Sequence, residues 1–191
     1  MRKALFGNGG HSREVQAQMG LKLPCFVDDD FVTGDSLPFS KFDPQEFAVM
    51  IAVADSNDRE NIVKKFPPET VFFSWIHPTA IICENVEIGE GSFVGAYSIL
   101  TTNIKIGNHA ILNRANHIGH DCNIGNFFSM MPGSIVSGNV RICDFVYLGT
   151  NSAIREKIRI DSNIKIGMGA MVVDNLLVSG TYVGVPAKRI K

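Results

Sequence analysis

The densest polar stretch of the chain is Asn113-Arg114-Ala115-Asn116-His117-Ile118-Gly119-His120-Asp121-Cys122. Within it, His120 is followed directly by the carboxylate of Asp121. An imidazole takes up and releases a proton near neutral pH, and a neighbouring carboxylate makes it a better general base. The pair therefore suits deprotonation of an amine or a hydroxyl. His117, three residues earlier, is within range to assist at the same substrate. His77, in Ile76-His77-Pro78, reads as a structural turn residue, and His109 as a solvated surface residue.

What positions these residues is a repeat. From Ile76, every sixth residue is aliphatic or Met, through Ile82, Ile88, Val94, Leu100, Ile106, Leu112, Ile118 and Ile124 to Val172, without an insertion. At the chain's 45% hydrophobic content, seventeen successive hits would arise by chance about once in a million. A period of six excludes an α-helix, which would put successive apolar residues on opposite faces. It is the signature of a parallel β-helix, in which three short strands and three bends close a coil of about eighteen residues. The small or apolar residues two places before each aliphatic one, such as Ser92, Ala110 and Cys122, also face inward. The glycines that often follow it (Gly89, Gly107, Gly119, Gly125, Gly149, Gly167) are expected to relieve the backbone at the corners.

In this frame Asn116 and Cys122 point inward, and His117, His120 and Asp121 point outward. One coil beyond His120 lies Gly138. A glycine there is expected to leave open space and a bare N–H beside the imidazole, where a thioester carbonyl and its developing oxyanion would fit.

Before the repeat, residues 1–75 alternate strand and helix signals. Lys3 to Phe6 reads as a strand, followed by the turn Gly7-Asn8-Gly9-Gly10-His11-Ser12 and a helix from Ser12 to Met19, stopped by Gly20. Cys25–Val27, Ala48–Val53 and Val71–Phe73 read as further strands, and Asn57 to Lys65 as a second helix. This pattern predicts a small Rossmann-like α/β subdomain, 1–75, ahead of a β-helix domain, 76–191. Gly7 and Gly9 fit half of a dinucleotide fingerprint, with Ser12 in place of its third glycine. Backbone N–H groups at the helix start would hold a phosphate, and Asp28 and Asp29 would meet a ribose or a base.

The net charge of −1 offers no attraction to nucleic acid or an anionic membrane. No apolar stretch approaches a membrane span, and the N-terminal apolar run is too short for a signal segment, so a cytoplasmic protein is expected. Cys25, Cys83, Cys122 and Cys143 are scattered and read as reduced thiols.

Taken together, Gly119-His120-Asp121-Cys122-Asn123-Ile124-Gly125, Pro132-Gly133-Ser134, Ser137-Gly138-Asn139-Val140 and Val183-Gly184-Val185-Pro186-Ala187-Lys188 resemble the sialic acid O-acetyltransferase-like branch of the hexapeptide-repeat acyltransferases. That branch includes N-acetyltransferases acting on nucleotide-linked 4-amino-6-deoxy sugars in bacterial glycan assembly. The resemblance implies a left-handed coil and a homotrimer with acetyl-CoA as co-substrate in the groove between neighbouring β-helices. It implies His120 as general base supported by Asp121, and the Gly138 N–H near the thioester. Thr150, Gly167 and Met168 would line the CoA arm, and Lys188 and Arg189 would meet its phosphates. Gly9, Gly10, His11, Asp28 and Asp29 match the positions that hold the nucleotide, and Ala54 stands where the third front strand ends, in place of the usual Gly.

Ser129 replaces a histidine that family members often carry on the acetyl-CoA side, which puts that contact in doubt. The same machinery acting on a hydroxyl would be an O-acetyltransferase. A γ-carbonic-anhydrase-like metalloenzyme shares the fold but needs three placed histidines, a pattern the His117/His120 spacing does not resemble, so no metal is expected. A non-catalytic, nucleotide-binding relative would not need the His-Asp pair.

Overall fold

In a computed structural model that describes residues 1–191, the repeat winds into a parallel β-helix. Each strand of two or three residues pairs in parallel with the strand eighteen residues on, as Leu112 does with Met130 and Ile118 with Val136. The aliphatic column is buried at every step from Val94 to Val172. Ile76, Ile82 and Ile88 keep some exposure because no coil lies below them.

The outward positions give each of the three faces its own character. One face carries Trp75, Phe93, Ile111, Ser129, Tyr147 and Lys165. The next carries Ile81, Ile99, His117, Ile135, Ala153 and Met171. The third carries Glu87, Lys105, Asn123, Arg141 and Arg159, all exposed.

The corner glycines have a different role from the one expected. Left-handed backbone recurs every six residues from Asn85 to Gly169, but at Asn85, Gly91, Tyr97, Asn103, His109, Ala115, Asp121, Phe127 and their successors. Gly107, Gly119 and Gly149 are not among them. A Cβ on Gly119 would lie 2.7 Å from the Gly138 nitrogen, and one on Gly149 2.5 Å from the Met168 nitrogen. These positions are glycine because the next coil passes too close for a side chain.

At the front, β1 (Arg2–Phe6), β2 (Cys25–Val27), β3 (Leu37–Pro38) and β4 (Phe47–Ile51) form a parallel sheet in the order β3-β2-β1-β4. Residues 71–73 add no full strand; only Phe72 bridges to Val49. Pro38 hides the true fourth strand in the sequence, and its missing N–H is tolerated because β3 is an edge. Helix α1 (Gly10–Met19) ends at Gly20, φ 65°. Helix α2 (Ser56–Val63) is capped by Asp55, whose side chain accepts from the Asn57 and Asp58 N–H groups.

One side of the sheet packs an aromatic cluster of Phe6, Phe26, Phe47 and Phe66. The other buries Leu5, Val15, Cys25 and Met50 against Phe93 and Ile111 of the first coil face. The front sheet thereby covers that face. No helix is long and apolar enough to cross a membrane.

Candidate functional site

His120 and Asp121 sit on the corner that follows the His117–Ile118 strand. His120 Nδ1 lies 2.7 Å from Asp121 Oδ2. That hydrogen bond, with a second from the Asn103 side-chain amide, holds the Asp121 carboxyl below its usual range. An ionised carboxylate only accepts, so Nδ1 carries a proton, and in the neutral ring the lone pair is on Nε2. The free edge of the ring lies over Gly138: a Cβ there would be 2.6 Å from Nε2. The space expected to be open is taken by the imidazole itself, and glycine is what admits it. The Gly138 N–H makes no hydrogen bond within the chain and remains a free donor beside Nε2. His117 is exposed on the second face, in register with Ile99 and Ile135.

Thr150 and Met168 come together on a different corner, where a cavity of about 350 Å³ is lined by Thr150, Asn151, Met168 and Gly169. Met168 is exposed, and the Gly169 N–H donates to the Thr150 carbonyl. Gly167 is covered by Val183, whose Cγ1 would be 2.8 Å from a Cβ on it. This corner precedes the second face and the His120 corner follows it. In one chain the two groups therefore flank the Ile81–Met171 face on opposite edges.

Ser129 departs from its expected position on the acetyl-CoA side. It is fully buried, donates to the Ala54 carbonyl at 2.8 Å, accepts from Arg59 at 2.9 Å and lies 3.3 Å from the Ser56 hydroxyl. The start of α2 and the residues leading into it cover it, so within this chain it offers no group to a ligand. Ala54 belongs to the same buried contact and also borders a cavity of about 320 Å³ with Asp55, Tyr147 and Lys165. There Lys165 pairs with Asp55 at 2.9 Å.

At the front, Gly9 is the N-cap of α1 without a side-chain cap, and a Cβ on it would meet nothing within 4 Å. Gly10 is almost as open. His11 is largely buried, edge-on to Phe93 at 6.1 Å, and its Nε2 has no hydrogen-bond partner. Burial pushes its pKa below the ordinary 6.5, against the pull of Glu14 and with help from Arg59. Asp28 holds Lys65 through both oxygens at 2.7 and 2.8 Å, and Asp29 accepts from the Ser40 N–H at 2.9 Å. Gly9, Gly10 and His11 share one helix start, whereas both aspartates are engaged within the chain.

Arg59 was not legible as a key residue. It is completely buried without a carboxylate partner, and burial brings its pKa down to about 9, against the opposing pull of Asp55. Its guanidinium donates to the carbonyls of Val53 and Ala54 on the front side and of His109, Phe127 and Phe128 on the coil. A lone arginine in a polar helix carries no sequence signal for this. His109, expected at the surface, is also buried, stacked on Phe127 at 5.1 Å. Nowhere do three His, Cys, Asp or Glu side chains gather as a metal site would require.

No protein-family model matches the chain, and no curated protein is similar to it in sequence. Solved structures are. The acetyltransferase domain of PglB from Neisseria gonorrhoeae superposes with a TM-score of 0.89 at 27% identity, over the whole of both chains. WeeI from Acinetobacter baumannii gives 0.88 at 29%, again over both chains in full. The chain is an acetyltransferase, similar in fold and sequence to those of the hexapeptide-repeat family. PerB from Caulobacter crescentus, solved with CoA and GDP-perosamine, shares the acetyltransferase's fold at a TM-score of 0.76 and 23% identity, with 100% of this chain and 98% of that one covered.

Proposed function

We propose that the chain transfers the acetyl group of acetyl-CoA to the amino group of a nucleotide-linked 4-amino-4,6-dideoxy sugar, for a surface polysaccharide or a glycoprotein glycan. The observation that carries this reading is the His120–Asp121 pair, with Nδ1 on the carboxylate and Nε2 turned to Gly138, whose N–H is free. His120 Nε2 takes a proton from the amine as its nitrogen attacks the thioester carbonyl. The Gly138 N–H donates to the oxyanion that forms. Collapse of the intermediate releases the CoA thiolate, which the His120 proton neutralises, leaving an amide and free CoA.

The front residues, 1–75, are read as a Rossmann-like nucleotide-sugar-binding domain and residues 76–191 as a left-handed β-helix domain. Gly9, Gly10 and His11, at the start of α1, would meet the nucleotide phosphates through their free backbone N–H groups. Asp28 and Asp29 would meet ribose and base only after exchanging Lys65 and Ser40 for ligand.

A homotrimer is part of the proposal. The second coil face is a bare column of Ile81, Ile99, Ile135, Ala153 and Met171, with Ile81 54% exposed, which monomers seldom leave uncovered. Burying it against a second copy would bring the Thr150–Met168 corner of one chain beside the His120 corner of the next. The CoA arm would lie between them, with His117 at its rim beside the sugar. PerB's complex with CoA and GDP-perosamine supports the choice of ligands.

The test is a thiol-release assay with acetyl-CoA and UDP-, dTDP- and GDP-linked 4-amino sugars. The expected result is CoA release with one nucleotide series and an N-acetylated product by mass spectrometry. No release with any amino sugar would overturn the reading.

A further inference from the structure

The corner column that carries Asp121 continues through the earlier coils as Asn103 and Asn85, eighteen residues apart and all in left-handed backbone. Asn85 Nδ2 donates to Asn103 Oδ1 at 3.2 Å, and Asn103 Nδ2 donates to Asp121 Oδ1 at 3.1 Å. Asp121 Oδ2 meets His120 Nδ1 at 2.7 Å. The chain of contacts has a direction. Because Asn103 Oδ1 accepts from Asn85, its amide must present NH₂ to Asp121; the flipped amide would set an oxygen against the carboxylate. The two carboxylate oxygens therefore have separate partners, one an amide and the other the imidazole.

The corner itself does not require an asparagine. Tyr97, Ala115, Phe127 and Lys157 adopt the same positive φ at equivalent corners. What Asn103 adds is its hydrogen bond. The other groups around the pair are the Asn139 N–H, which donates to the His120 carbonyl, and the inward-turned Cys122 thiol, which donates to the Ser137 carbonyl. The next charge in the same column is Lys157, two coils beyond Asp121.

We infer that Asn103 is a positioning residue for the base. By holding Oδ1 it fixes the carboxylate plane, so that Oδ2 receives the His120 Nδ1 proton and Nε2 points its lone pair past Gly138. An outer partner of this kind acts through the tautomer and aim of the ring, so its loss lowers turnover while substrate binding stays as it was. The inference rests on His120 being the base.

The experiment compares Asn103→Gly, which accepts the positive φ without a side chain, and Asn103→Asp, which keeps the shape and replaces the donor with a second carboxylate. Steady-state kinetics are read together with the His120 ring resonances in protein labelled with ¹⁵N-histidine. Asn103→Gly should lower kcat about tenfold, with KM for acetyl-CoA and the melting temperature unchanged and a weakened Nδ1–H signal. Asn103→Asp should lower kcat further. In a His120→Ala background, Asn103→Gly should cost nothing more. Wild-type kcat and an unchanged Nδ1–H signal in both Asn103 variants, with His120→Ala inactive, would overturn the role of Asn103 and leave the base standing. Full activity in His120→Ala would instead remove the base, and this inference with it.

Discussion

Two faces of the same coil share one inward pattern and differ in everything outside it. On the covered face, Phe93 and Ile111 are buried under the front sheet, and Ser129 is locked into the Arg59 contact. On the adjacent face, Ile81, Ile135 and Met171 stand 54%, 42% and 37% exposed. The hexad thus builds the scaffold, and the outward residue at one place in six decides what each face meets. The covered face adds polar anchors, Ser129 and Lys165, because its partner belongs to the same chain and can be matched atom by atom. The bare face is apolar apart from His117, and the proposed trimer would cover it with a second copy.

The largest effect should come from a change that leaves both faces intact. His120→Ala is expected to lower kcat about 10²–10⁴-fold with the fold and assembly retained, measured by thiol release and light scattering. Next is the anchor of the covered face. Arg59→Leu removes the donor to carbonyls on both sides of the junction and should cost about 3–5 kcal/mol in urea denaturation. A loss under about 1 kcal/mol would mean that apolar packing alone holds the front sheet.

The bare face is then tested by contrast. Ile135→Glu would bury an uncompensated carboxylate and should weaken self-association at least about 100-fold in sedimentation, while Arg141→Glu on the polar third face should not. Equal behaviour of the two variants would separate assembly from this column.

The smallest effect is on pH dependence. Burial, with the Arg59 charge, brings the pKa of His109 from the ordinary 6.5 down to about 4. Between those values the unfolded chain binds the extra proton, so this contribution to stability is complete above about pH 6.5 and is lost as pH falls toward about 4. His109→Phe, continuing the stack with Phe127 and Phe145, should flatten that part of the stability curve, seen as a smaller fall in urea midpoint between about pH 7 and about pH 5.

The coil was legible because one residue in six must be apolar to fill it, whatever occupies the rest. The contact of His120 with Gly138 followed from adding one coil length. Subtracting the same length from Asp121 reaches Asn103, so that contact was available from the same arithmetic. His109 was misplaced because a coil frame tells outward from inward, but not which outward face another part of the chain will cover; the burial of Ser129 is hidden from the frame in the same way. Arg59 had no frame at all, since apart from the Ser129 hydroxyl its partners are backbone carbonyls that any sequence supplies. The corner glycines were misread because a close approach between coils is not local in the chain, whereas a turn is.

The uninterrupted step of six also makes the coil a ruler. Duplicating eighteen residues between 95 and 112 would keep His120 opposite Gly138 and Asp121 beside an asparagine. It would carry that corner about 4.8 Å further along the axis from the earliest coils. The register with Phe93 and α1 would then be lost by one graduation. Such a chain would still wind and still hold the His120–Asp121 pair, but in the proposed trimer it would present that pair to the wrong height of its neighbour.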